Sequence, residues 1–232
     1  MNMALNSFND PYRGCCRRMR KAVWALNRTE FVPDSDYTEA WAKATATWHS
    51  RPSLGSRLRM DVAIALLAYT TEEGLYMELN KATRRAGRSR QEYLHNFPFK
   101  VVHFLLTKAL YDLQGDKTHP RCLSAFRGVE GISFSTEPGR IVRFGQFASC
   151  SLLRNVSEHY GNDSFFEVQT CHGAAIRDFS FYPEEEEVLI PPFETFDVTS
   201  VTRQSDSTYI QLHSHGVYSK YNCAWLRGDI PG

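Results

Sequence analysis

The chain has 232 residues, a formal net charge of +1, and 42% hydrophobic and 13% aromatic content, the composition of a folded protein with a sizeable core and not of a disordered one. A charge so near zero gives no electrostatic case for a nucleic-acid or acidic-membrane partner. No apolar run approaches the length of a membrane span, and the first residues lack the apolar core of a signal peptide.

The first half is helical by pattern. Pro11 to Asn27 sets Tyr12, Cys15, Cys16, Met19, Val23, Trp24 and Leu26 at helical spacing. Asp34-Ser35-Asp36 caps a second helix with Tyr37, Trp41, Ala44 and Trp48 on one stripe. Met60 to Thr70 is apolar enough for a buried helix. Glu72 to Ala86 continues with Leu75, Leu79 and Ala82 inward, and Gly87 is a helix stop. Phe97-Pro98-Phe99 opens a strong helix that ends at Gly115.

After Gly115, β-rich runs alternate with turns: Leu123–Val129, Ile141–Ala148, Phe165–Cys171, Val188–Ile190, Phe193–Val201 and Tyr209–His213. Helices first and strands second argue α+β, the helices packed on a mainly antiparallel β-sandwich. With no long linker near residue 116, the expectation is a single domain over 1–232, helical to about 115 and β-rich from about 116 to 232.

The six cysteines form no C-x-x-C pair, so no zinc or other metal site is expected. Cys15 or Cys16 lies near one end and Cys223 near the other; a bridge between the ends would remove roughly 4–5 kcal/mol of unfolded-chain entropy. Cys122 and Cys171 could then pin two strands, leaving one of Cys15 and Cys16, together with Cys150, unpaired. Asn27, Asn155 and Asn162 each head a glycosylation acceptor. Cysteines and acceptors together favour a mature extracellular form over a cytosolic chain with reduced thiols.

Three pieces of the β half carry chemistry. Arg127 stands inside an apolar run, where an unpaired guanidinium is costly, so a structural carboxylate or a ligand phosphate should face it. Ser149, Cys150 and Ser151 end a strand with alternating hydroxyls. Glu184 to Glu187 sets four carboxylates before the apolar Val188-Leu189-Ile190. In an extended chain Glu185 and Glu187 share a face, and two such carboxylates raise at least one pKa. The run is either a polar turn or a site that handles positive charge.

In this order the pieces resemble the Arg-Ser-Glu-x-Glu signature of the vertebrate ecto-mono-ADP-ribosyltransferases, the arginine-specific family. The resemblance takes in Phe8 to Cys15, Leu26 to Phe31, Ala86 to Arg90, His103 to Thr107, Phe126 to Gly128, Glu185 to Phe196 and Tyr221 to Cys223. It implies an ADP-ribosyltransferase-like fold that uses NAD (or NADP), without metal, to modify arginine in proteins or small guanidines and releases nicotinamide. An NAD glycohydrolase and a catalytically silent binding module are the alternatives on the same fold. By position, Arg127 would hold the NAD phosphates and Gly128 would admit the nicotinamide amide. Ser149 would orient the catalytic Glu187, with Ser151 supporting it and Cys150 facing away. Glu185 would orient the acceptor guanidinium and take its proton. Phe181 and Tyr182 would recognise the target, Asn80 and Arg84 would help hold NAD, and Tyr160 would stack on nicotinamide. The resemblance also implies the bridges Cys15–Cys223 and Cys122–Cys171 and a secreted or cell-surface protein, with or without a lipid anchor in its precursor.

Overall fold

The computed structural model describes residues 1–30, 35–51 and 57–226. Six helices come first: α1 (Cys16–Glu30), α2 (Asp36–Ser50), α3 (Met60–Tyr69), α4 (Leu75–Ala86), α5 (Arg90–Asn96) and α6 (Lys100–Gln114). Strands β1 (Leu123–Val129), β2 (Ile141–Val142) and β3 (Ala148–Ser151) follow, then the short helix α7 (Arg154–His159). β4 (Ser164–Thr170), β5 (Ala174–Ala175), β6 (Glu187–Ile190), β7 (Glu194–Gln204) and β8 (Ser207–Val217) come after it.

The eight strands form one sheet in the order β2-β7-β8-β4-β1-β3-β6-β5. Every neighbouring pair is antiparallel except β4 with β8. The two halves of the expected sandwich meet in a single register pair, Phe126↔Ser151, between β1 and β3. They are therefore one hydrogen-bonded ladder, and it splays open at this seam.

Two apolar clusters flank the sheet. One joins α3 and α6 to Phe147, Ile176 and Leu189; the other, built of Ala125, Phe166, Val188, Phe196 and Leu212, lies within the strands. α3 is apolar all round, with eight of its ten residues buried, as befits a helix enclosed by the others.

Several boundaries depart from the sequence pattern because distant groups decide them. α1 begins at Cys16, not Pro11, because Tyr12 and Gly14 both take left-handed backbone (φ 52° and 76°). Asp10 holds that turn by accepting from the amides of Tyr12 (2.7 Å), Cys223 (2.9 Å) and Ala224 (2.7 Å), so one carboxylate ties the two ends of the chain together. The Cys15–Cys223 and Cys122–Cys171 bridges are both formed. Cys16 and Cys150 are free.

The capping role expected of Ser35 is met, since its hydroxyl accepts from the Thr38 amide; Asp34 lies outside the described residues. Gly87 ends α4 with φ −82° and so is no left-handed cap. A Cβ there would lie 2.1 Å from the Ser7 carbonyl, and Gly87 instead lets residues 6–8 run against α4.

The N-terminus of α6 is capped from α1. The buried Glu30 carboxylate accepts from the Lys100 and Val101 amides at 3.0 and 2.9 Å, with the Lys100 ammonium 3.7 Å away.

The expected strand Ile141–Ala148 is broken. Gly145 turns left-handed (φ 70°), and the buried Arg143 side chain donates to the carbonyls of Met3, Ala4 and Pro192. α5 and α7 are too short for a periodic signal and were not legible.

Candidate active site

The splayed seam opens into a cleft of about 940 Å³, walled by α4, the end of α3, β1, β3, α7 and the turn before β6. Ten of the expected site residues line it: Asn80, Arg84, Arg127, Gly128, Ser149, Ser151, Tyr160, Tyr182, Glu185 and Glu187. Phe181 does not. It is half-buried against the helical core, its amide donates to Thr70 Oγ1, and Lys43 and Arg51 lie over its ring. Phe181 thus anchors the loop from its back, while Tyr182 faces the cleft.

The four glutamates occupy four different environments. Pro183–Glu185 is a 3-10 turn and Glu186 is left-handed (φ 48°), so the extended-strand alternation of faces does not apply to this run. Glu184 is exposed, and Glu186 pairs with Arg177 at 3.1 Å. Glu185 stands half-buried at the cleft wall, where Tyr160 donates its phenol to Oε1 at 2.5 Å. Glu187 is the first residue of β6 and is buried.

Strand register positions Glu187. It lies directly opposite Ser151, and Ser149 lies opposite Leu189, so both serines share its face while Cys150 and Val188 turn to the other core. Ser151 supports from behind: its hydroxyl donates to the Glu185 carbonyl at 2.6 Å and accepts from the Leu153 amide at 2.9 Å. Burial pushes the Glu187 carboxyl up to about 7. The nearby Glu185 adds to the rise, while hydroxyls of Ser149 and Ser180 and the Arg127 guanidinium oppose it. Desolvation is the dominant cause, because a carboxylate cut off from water loses more than two hydroxyls return.

Arg127 crosses the open seam and donates to the Ser149 carbonyl at 2.5 Å. Among the described residues it makes no ion pair within 4.0 Å. The rest of its donor fork is left for an anion. Lys81 and Arg84 of α4 add cationic lining, with Arg84 hydrogen-bonded to Gln146. Gly128 is required for a reason beyond ligand approach: a Cβ there would meet the Ser157 and Gly161 carbonyls at 2.1 and 2.3 Å. The α7 turn thereby packs directly on β1 and carries Tyr160 to the cleft.

Sequence reasoning missed Tyr69, the last residue of α3. Its phenol accepts from Asn80 Nδ2 at 3.1 Å, donates to the Phe147 carbonyl at 3.3 Å and lies beside the Ser149 hydroxyl. Burial holds it up at about 12. Asn80, Tyr69, Ser149 and Glu187 therefore stand side by side as polar neighbours along the cleft wall. The only sequence signal was a polar tip ending an otherwise apolar helix. Asn80 Oδ1 is buried and makes no hydrogen bond among the described residues, an acceptor that suits an amide or hydroxyl of a ligand.

The NAD:arginine ADP-ribosyltransferase family profile matches residues 1–220. The chain belongs to this family. Among the ADP-ribosyltransferases it resembles is the erythroblast NAD(P)(+)–arginine ADP-ribosyltransferase of Gallus gallus, 49% identical over 98% of this chain and 76% of the relative. Another is the GPI-linked NAD(P)(+)–arginine ADP-ribosyltransferase 1 of Homo sapiens, 43% identical over 98% of this chain and 74% of that one. A solved mutant of the eucaryotic mono-ADP-ribosyltransferase ART2.2 in complex with NADH superposes with a TM-score of 0.82 and 32% identity, covering 97% of this chain and 98% of the other. The cationic lining around Arg127 and the carboxylates of Glu185 and Glu187 belong to one cleft. Among the described residues no three His, Cys, Asp or Glu side chains cluster as a metal site, and no helix is long and apolar enough to cross a membrane.

Proposed function

We propose that this chain transfers ADP-ribose from NAD to the guanidinium of arginine in proteins or small guanidines, releasing nicotinamide. One observation carries the reading: a buried carboxylate and a partly exposed one converge at the same cleft wall, across from a guanidinium that has no carboxylate partner among the described residues.

Arg127 binds the NAD phosphates through the free part of its fork, with Lys81 and Arg84 adding attraction. The Asn80 oxygen and the Gly128 backbone hold polar groups of the nicotinamide half, beside the Tyr160 ring. Departure of nicotinamide breaks the glycosidic C–N bond, whose electron pair leaves with the base, and the ribose becomes oxocarbenium-like. Glu187 grips the ribose hydroxyl next to the anomeric carbon. In a water-poor pocket its charge stabilises the transition state more than the ground state.

Ser149, fixed by Tyr69, sets the direction of the Glu187 carboxylate. A guanidinium nitrogen then bonds to the anomeric carbon. Glu185 takes the proton released in that step and not earlier, since the free guanidinium keeps its proton (pKa above about 12). Tyr182 faces the incoming arginine, where its ring can stack on a guanidinium.

The two disulfides suit an oxidising compartment, and relatives carry the names GPI-linked and ecto. The chain accordingly works at the cell surface or in the extracellular space. Labelled NAD supplied with agmatine tests the activity. An ADP-ribosyl adduct is expected; free ADP-ribose alone would mean a glycohydrolase, and neither product a silent binding module. Glu185→Gln should abolish the adduct and retain some NAD cleavage, whereas Glu187→Gln should remove both. Equal loss of both activities in Glu185→Gln would contradict the division of roles.

A further inference from the structure

The small total charge hides an uneven distribution. Helix α1 carries Arg17, Arg18, Arg20, Lys21 and Arg28. Its one carboxylate, Glu30, is buried and occupied in capping α6. At about 100° per residue, Arg17, Lys21, Trp24 and Arg28 fall within an arc of about 60°, with Arg18 and Arg20 at its flanks. The stripe points to solvent: its three cations are exposed, and Trp24, at 79%, is the most exposed large hydrophobic side chain among the described residues.

Among those residues none of the five cations makes an ion pair. Met19 and Leu26, on the opposite side, are buried in the helical core, and α6 is the helix against which α1 packs. No α1 residue lines the catalytic cleft, so a partner on this stripe leaves the cleft open.

We propose that the solvent face of α1 docks a linear sulfated polysaccharide. The charges run in one row of about 16 Å from Arg17 to Arg28, which fits an extended polyanion better than a compact phosphate. Trp24 sits mid-row, where an indole can pack on the apolar C–H face of a sugar ring while cations on either side take sulfates. The compartment narrows the choice of polyanion. Two disulfides and the cell-surface relatives place the chain outside the cell, where sulfated glycans are plentiful and nucleic acid is not. Anionic lipid is concentrated in the cytoplasmic leaflet, so the outer membrane surface offers this row little charge. Asn27, the acceptor asparagine on this helix, is half-buried with its amide oxygen inside the protein, to one side of the row.

Heparin is the probe. Its affinity for the full chain, read from tryptophan emission over a salt series, is compared with that of a variant carrying R17Q, R18Q, K21Q and R28Q. The variant should bind at least about tenfold more weakly near 0.15 M salt, with the log–log salt slope flattened by roughly one for each contact removed. Transfer to agmatine should be unchanged in it, which also reports that it folds. Trp24→Ala, followed by calorimetry, should lower affinity severalfold and leave the slope in place. Heparin affinity within twofold of the unmodified chain in both variants would overturn the proposal. So would an unmodified chain that ignores heparin and sediments with phosphatidylserine-rich vesicles.

Discussion

The Glu187 carboxyl is the group whose titration tests the site most directly. Glutamate has an ordinary value of 4.5, and burial brings this one to about 7. With one titrating acid, the ionised fraction climbs from about 9% at pH 6 to about 91% at pH 8, a gain of roughly tenfold. If the charged form is the active one, kcat/KM for nicotinamide release without acceptor should rise about tenfold across that window, because this ratio reports the free enzyme. An unperturbed glutamate would give a flat profile there. The neighbours supply the sign of two shifts. Glu185→Gln removes a like charge that raises the Glu187 value, so the inflection should move to lower pH. Ser149→Ala removes a hydrogen bond to the carboxylate, so it should move to higher pH. The assay is the initial rate of nicotinamide release from subsaturating NAD between pH 5.5 and 8.5. A flat profile for the unmodified chain, or an upward move in Glu185→Gln, would refute the assignment.

The same burial has a cost in stability. The folded state binds the Glu187 proton more tightly than the unfolded chain, so stability falls as pH rises from 4.5 to about 7 and stays low above it. The neutral Glu187→Gln should therefore be about 3 kcal/mol more stable than the unmodified chain at pH 8, at roughly 1.4 kcal/mol per unit. That gain should vanish near pH 4.5 in thermal melts at the two values. Gly128→Ala should destabilise by about 3 kcal/mol or more in urea titrations, because its Cβ meets two backbone carbonyls and not a yielding side chain. The disulfides should differ in the order of their loops. Breaking Cys15–Cys223, which spans 208 residues, should cost about 5 kcal/mol in the loop-entropy account, against about 4 for the 49-residue Cys122–Cys171 loop. Urea midpoints of the two serine pairs give the comparison.

Helix and strand identity was legible wherever a segment's own pattern decided it. α3 and α6 announce themselves by apolar content, β1 matches its expected bounds, and the helices-then-strands order follows from composition alone. The order of Arg127, Ser149, Glu185 and Glu187 along the chain carried the family resemblance from which the candidate site was read, and the four side chains do line one cleft. Tertiary structure decided where elements stop and what stands beside them. Asp10 turns the chain before α1, Arg143 breaks the strand after Val142, and Glu30 caps a helix 70 residues away. The convergence of Glu185 with Glu187 comes from a 3-10 turn and a left-handed Glu186, not from strand alternation. Tyr69 and Ser180 reach the site, and Phe181 leaves it, only through packing. A periodic pattern encodes which face of an element is apolar; it carries no record of which distant donor will satisfy a buried carboxylate, because that partner is chosen when the faces close on one another.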